Sequence, residues 1–151
     1  MRMRGGAIFM LIFLLCLATL AALAADRQEG SITINAEGFR NDKGEMKGAL
    51  FSSADGFPYE SGKALKTFSA PISEGHATAT IDAIPYGTYA ISLYHDDDSS
   101  GKLERGAWGK PKKGIGISNN PPKRNRAPRF DEGQFTLGEP RKSLPITMIY
   151  Y

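Results

Sequence analysis

Near the middle of the chain, His95-Asp96-Asp97-Asp98-Ser99-Ser100-Gly101-Lys102-Leu103-Glu104 places oxygen-bearing side chains at alternate positions ahead of a glycine, with an acid three residues beyond it. A hard dication such as calcium needs six to eight converging oxygens. A short loop can supply them from its first, third, fifth and ninth positions, with a glycine at the sixth for the tight turn. Asp96, Asp98, Ser100, Gly101 and Glu104 fit that spacing, and the seventh position would donate the backbone carbonyl of Lys102. Leu103 takes the eighth, an inward apolar position. The twelfth, where an EF-hand carries a bidentate glutamate, is Ala107, so the loop is EF-like without being an EF-hand. The expected metal ligands are therefore Asp96, Asp98, Ser100, Lys102 and Glu104, with calcium as the ion. The competing reading is a solvated acidic turn between two strands, because Asp, Ser and Gly are also ordinary turn formers. If calcium binds there, Asp96→Ala or Asp98→Ala is expected to abolish the stabilisation and leave the fold intact, since each removes a ligand from an exposed loop.

Other chemistry is sparse. His95 beside Asp96 could form an acid–base pair, but neighbours on a strand point to opposite faces, and no Ser or Cys sits in a recognisable nucleophile elbow. His76 is the only other histidine, and two histidines without cysteine make a marginal zinc set. The chain is therefore read as a non-enzyme. The alternative is an envelope hydrolase or carbohydrate-processing enzyme with a cleft formed by His95, Asp96, Trp108 and Asn119. The residues expected to face a ligand are His95, Trp108, Asn119 and Asn120. Trp108, the sole tryptophan, could anchor its loop on the domain or present a face to a sugar ring.

The amino end indicates where this chemistry would operate. Arg2 and Arg4 form a positive region, Ala7 to Leu20 an apolar one, and small residues up to Ala25 offer a cleavage site before Asp26, which is how a secretory signal peptide reads. Residues 1–25 are thus expected to be a leader and 26–151 one domain, periplasmic or secreted, with no stable transmembrane span after cleavage. Cys16, the one cysteine, lies in the leader. An exported domain without disulfides must hold together by its core or a metal. Taking 25 residues from 151 leaves about 126, enough for one core. Losing Arg2 and Arg4 from 19 basic residues leaves 17 against 16 acidic ones, and near-neutrality gives no reason to expect nucleic acid as a partner. Charge is uneven, however: from Lys102 to Arg129 nine basic residues stand with Glu104 as the only acid. That run is either a solvated loop or a surface for an envelope component of anionic character, glycan or lipid.

The elements that must position these residues read as strands. Ser31 to Ile34 and His76 to Ile81 alternate, Lys47 to Ser52 is short and apolar, and Thr88 to Tyr94 is the strongest of the set. Ala64 to Phe68 suits a strand or a helical turn, and Gly133 to Leu137 and Leu144 to Tyr150 complete about seven strands. In Ile84-Pro85-Tyr86-Gly87-Thr88-Tyr89 a tight turn precedes a tyrosine whose hydroxyl can reach back to the loop. No stretch of twelve or more residues beyond the leader has helical period. An all-β antiparallel sandwich follows, burying Ile32, Ile34, Leu50, Phe51, Ile81, Tyr89, Ile91, Leu93, Phe135, Leu137, Ile146 and Met148. Between the acidic loop and Phe130 runs one long Gly/Pro-rich loop, of a length that is either functional or disordered.

The order of motifs carries a resemblance. An Ile-Pro-x-Gly-x-Tyr turn, Ala90-Ile91 to Tyr94, His95-Asp96 with its spaced acids, Gly109-Lys110-Pro111-Lys112-Lys113-Gly114, Gly116-Ile117-Ser118-Asn119-Asn120, then Pro128, Phe130 and Phe135 resemble the bacterial secreted family known as domain of unknown function 2141. The resemblance spans essentially all of the expected mature chain. It implies an extracytoplasmic β-sandwich of transthyretin-like or carboxypeptidase-regulatory-like type and no established activity. The family usually has Asn or Asp at Ser100, Asp at Glu104 and Phe at Ile117; a hydroxyl at Ser100 is a weaker calcium ligand than a carboxylate. The expected function is a binding or structural module of the cell envelope, stabilised by calcium if the acidic loop takes the ion.

Overall fold

A computed structural model describes residues 28–151, and the expected leader lies outside them. Eight strands run in chain order: β1 (Glu29–Glu37), β2 (Glu45–Phe51), β3 (Lys66–Pro71), β4 (His76–Pro85), β5 (Gly87–Asp96), β6 (Ile115–Ile117), β7 (Phe135–Leu137) and β8 (Arg141–Thr147). A single helical turn, α1 (Phe130–Gly133), precedes β7. No helix among the described residues is long and apolar enough to cross a membrane.

Two sheets face each other. One has the order β4-β1-β8, the other β3-β2-β5-β6, with β7 also pairing β5. β6 pairs the later part of β5, Ser92 to Tyr94, and β7 its beginning, Gly87 to Tyr89. The sandwich expected from the alternating segments is thus what forms, with two differences. There are eight strands, because Ile115–Ile117 inside the expected loop also pairs. And β1 and β8 run parallel, Ser31 opposite Arg141 through Glu37 opposite Thr147, whereas the other pairings are antiparallel.

Alternation decides what each strand buries. On β1, Ile32, Ile34 and Ala36 point inward; on β5, Tyr89, Ile91 and Leu93 do; Met46 and Leu50 of β2 and Leu144 and Ile146 of β8 complete the centre. At about 25 cal/mol per Å² of apolar surface removed from water, each such Ile or Leu contributes about 2 kcal/mol. Tyr89 packs its ring here and donates its hydroxyl to the Pro85 carbonyl at 2.7 Å, as its turn suggested. Phe51 is fully buried but on the opposite face of its sheet from Leu50. Its ring meets Phe57 edge-on at 5.4 Å, and Phe57 meets Phe130 at 5.8 Å. This second, smaller apolar cluster covers the outer face of the β2–β5 sheet.

The long segment after the acidic loop is ordered against that outer face. Ser118, fully buried, accepts a hydrogen bond from Ile91 N–H at 2.9 Å and donates to the Gly133 carbonyl, joining β5 to α1. Ile115 and Ile149 exchange backbone hydrogen bonds of 2.9 and 2.7 Å, closing one seam between the sheets.

Candidate functional site

β5 carries His95 and Asp96 out of the core, and the two-residue period of a strand sends them to opposite faces. His95 faces inward and is 1 % exposed. Its Nε2 lies 2.8 Å from the Lys43 carbonyl, which can only accept, so Nε2 carries the proton. The other ring nitrogen, Nδ1, shares a hydrogen bond of 2.8 Å with the Tyr150 hydroxyl, and Tyr150 Oη accepts from Arg40 N–H at 2.9 Å. Phe39 packs edge-on against the imidazole at 5.4 Å. His95 is therefore not a ligand-facing residue: both ring nitrogens are consumed in tying the β1–β2 loop and the C-terminal segment to the end of β5. The cleft expected from His95 and Asp96 does not assemble, since the two project from opposite sides of β5.

Asp96 faces the other way and is also 1 % exposed. Its Oδ2 accepts from Gly101 N–H at 2.9 Å, while Ser100 N–H donates to Asp98 Oδ1 at 3.1 Å. Positive φ angles at Ser99 and Gly101, 54° and 68°, let the chain turn back on itself. The first, third and fifth oxygens of the loop do converge, and at their meeting point sits the ammonium of Lys113. Nζ lies 2.6 Å from Asp96 Oδ1, 2.5 Å from Asp98 Oδ1 and 2.9 Å from Ser100 Oγ. Those three partners use all three N–H donors of the group. Burial alone would lower the Lys113 pKa, but its hydrogen bonds to Asp96 and Asp98 outweigh that and raise it above the usual lysine value. Hydrogen bonds from Lys113 first, then Ser100, hold the Asp98 carboxyl far below the usual carboxylate range.

Glu104 is not brought to this point; it pairs with Lys112 at 3.4 Å. Lys102 N–H donates to Ser100 Oγ at 3.4 Å. Among the described residues no three His, Cys, Asp or Glu side chains stand in a group that could hold a metal ion. As arranged, the three loop oxygens that converge, Asp96 Oδ1, Asp98 Oδ1 and Ser100 Oγ, are all engaged by an ammonium, which fills the position a calcium ion would need. From sequence alone Lys113 is one more charge in a basic run. The register that identifies it belongs to β6: with Tyr94 opposite Ile115, and His95 N–H donating to the Gly114 carbonyl at 3.0 Å, Lys113 falls opposite Asp96 on the same face.

Between Glu104 and Lys112 the chain makes a finger. Lys112 N–H donates to the Glu104 carbonyl at 2.9 Å and Gly106 N–H to the Lys110 carbonyl at 2.8 Å, with a single turn of 3-10 helix, Ala107–Gly109, at the tip. Trp108 occupies that turn with φ of 63° and is 96 % exposed. The ring does not anchor the loop. Behind it lies a groove of about 330 Å³ lined by Trp108, Tyr59, Tyr151, Lys110, Arg124 and Arg126. Arg105 stacks over the Tyr59 ring at 5.1 Å. Arg126 is held by both oxygens of Glu132 at 2.8 Å, Arg124 approaches the same carboxylate at 3.4 Å, and Arg129 N–H donates to it at 2.9 Å. The Arg126 guanidinium, aided by that Arg129 bond, holds the Glu132 carboxyl down to about 2.

Tyr59 also walls a second groove of about 420 Å³ on the outer face of the β3-β2-β5 ladder, floored by Lys47, Thr67, Ser69, Ser92 and Tyr94. Asn119 and Asn120, expected to face a ligand, are turned to the backbone instead. Asn119 Nδ2 donates to the Gln134 carbonyl at 2.6 Å; Asn120 donates to the Pro145 carbonyl at 3.2 Å and accepts from Thr147 N–H at 2.8 Å. Both take positive φ, 65° and 46°, a conformation asparagine tolerates better than most side chains.

Residues 34–144 match the model of a family described as uncharacterized protein conserved in bacteria (DUF2141). No curated protein and no solved structure matches the chain.

Proposed function

Since the chain belongs to this bacterial family of uncharacterized proteins, which assigns it no chemistry, we propose that it is an exported binding module of the cell envelope that takes an anionic glycan chain along the two grooves meeting at Tyr59. The observation that carries the reading is Trp108, 96 % exposed and held on a left-handed backbone. A bulky residue in that region is strained by about 1–3 kcal/mol, and strain of this kind gathers at functional sites. An indole offers roughly 150–250 Å² of surface, worth several kcal/mol to whatever covers it.

The surroundings support a sugar polymer with acidic groups. Aromatic rings at Trp108, Tyr59 and Tyr151 suit the apolar face of a pyranose ring, and Lys110 and Arg124 suit a carboxylate or phosphate on it, while Arg126, held by Glu132, shapes the groove wall. The hydroxyls of Thr67, Ser69 and Ser92 in the adjoining groove suit sugar hydroxyls.

The test is calorimetric titration of the protein with an acidic polysaccharide, a neutral one, and vesicles of anionic lipid. Binding should be confined to the acidic polysaccharide and weaken as salt rises from about 0.05 to about 0.5 M. Trp108→Ala should weaken it about tenfold or more, a change of about 1.4 kcal/mol, without altering the melting temperature. Equal binding by Trp108→Ala would sink the reading. Binding to the vesicles alone would move the surface to a lipid partner.

A further inference from the structure

We propose that Lys113 is the resident cation of the Asp96–Glu104 loop: its ammonium stands where a divalent ion would stand, so that the loop is ordered without metal. The inference concerns the loop itself and does not depend on what the grooves bind. Three observations carry it. The oxygens at the first, third and fifth loop positions, those of Asp96, Asp98 and Ser100, converge within 2.9 Å on one nitrogen. That nitrogen belongs to a residue 8 % exposed, facing a carboxylate 1 % exposed, so the pair is shielded from competing solvent. And the residue is delivered by the backbone: the β5–β6 register, extended by the His95 N–H to Gly114 carbonyl bond, sets Lys113 opposite Asp96.

A loop written with calcium spacing therefore closes on a charge supplied by its own chain. Two carboxylates at close range repel each other and need a cation between them. A tethered ammonium supplies it with no dependence on the concentration of any ion. Its three donors match three acceptors, and the tetrahedral ammonium leaves no space for the further oxygens that calcium demands. Glu104, released from the role of ninth-position ligand, pairs with Lys112 across the finger instead. Lys113 thus clasps the base of the hairpin whose tip is Trp108.

The measurement is thermal melting of the wild-type protein and of Lys113→Met, each in millimolar calcium and in chelator, with terbium luminescence as a direct readout of ion binding. Wild type should melt at the same temperature in both conditions and give no luminescence at terbium concentrations of about 10⁻⁴ M. Lys113→Met should melt roughly 10 °C lower in chelator and regain about 5 °C in calcium, because Asp96, Asp98 and Ser100 then face an empty centre. Adding Asp96→Asn to that variant should abolish the recovery. A wild-type protein that is stabilised by calcium overturns the proposal, as does a Lys113→Met variant that melts like wild type or ignores calcium. If Lys113→Met does not fold in chelator, refolding that requires calcium supports the proposal, and failure in both conditions leaves the wild-type calcium and terbium responses to decide it.

Discussion

Replacing Asp96 by alanine removes one partner of a shielded ion pair while leaving the other in place. From its position in an Asp-rich turn, Asp96 reads as an exposed ligand whose loss costs the fold nothing. The structure gives a different expectation. Asp96 is 1 % exposed, and its two oxygens hold Lys113 Nζ at 2.6 Å and Gly101 N–H at 2.9 Å. Stripping one member from a buried pair costs about 3–5 kcal/mol, because the surviving charge is left without compensation. Here Asp98 and Ser100 remain on the ammonium, and exposed Gly101 can turn to water, so the lower end applies: about 3 kcal/mol, or about 10 °C in a domain of this size. Asp98→Ala should cost distinctly less, its side chain being 55 % exposed. The double variant Asp96→Ala, Lys113→Met should be less destabilised than the two single losses added together, since each single change already removes the shared contact. Urea denaturation with unchanged slope is the assay. Equal and small effects at Asp96 and Asp98 would refute the reasoning, because they would mean that Lys113 is not buried against Asp96.

Acid and base should act on the same clasp in opposite ranges. Asp98 titrates below its ordinary 3.8, so its share of stability is present above that pH and is lost as pH falls through the lowered value. Lys113 titrates above its ordinary 10.5, so its share is present below that pH and is lost as pH rises through the raised value; melting temperature should be flat between about pH 5 and about 9 and fall outside. Ser118→Ala should destabilise by about 2–4 kcal/mol by denaturant titration, leaving the Ile91 N–H and the Gly133 carbonyl buried without their partner. Gly44→Ala should cost about 3 kcal/mol or more, since φ is +68° and a Cβ would stand 1.8 Å from the Asp96 carbonyl oxygen. Glu132→Ala should speed tryptic cleavage after Arg124 and Arg126 severalfold, as that carboxylate holds both; in wild type the same hold is present above about pH 4.5 and is lost as pH falls through about 2.

What the sequence revealed follows the range of the forces involved. Strands β1, β4 and β5 were legible because their alternation is local and long enough to be counted, and the opposite facing of His95 and Asp96 follows from the same period. Phe51 was legible as buried, but not as belonging to the outer cluster, because its partners Phe57 and Phe130 lie in segments with no regular period. β6 escaped because three residues, Ile-Gly-Ile, within a stretch of glycine and proline carry no periodicity; only the partner strand makes them one. Lys113 escaped with it. Its partner Asp96 is 17 residues away, and nothing in its own neighbourhood distinguishes it from Lys110 or Lys112 until the register is known. Trp108 left two readings open in the sequence, since only a tertiary contact, or its absence, separates an anchor from a presented face.

The parallel pairing of β1 with β8 has a mechanical meaning. Both strands run the same way, side by side, from Ser31 and Arg141 to Glu37 and Thr147. A pull applied through the start of β1 and the end of β8 is therefore directed along the ladder, and its hydrogen bonds must slide past one another and fail together. Had the strands been antiparallel, the same pull would open the ladder from one end, one bond at a time. A module fixed at one end and loaded at the other would resist tension through this pair first, and stretching single molecules between Glu29 and Thr147 should show one abrupt, high-force rupture in place of gradual yielding.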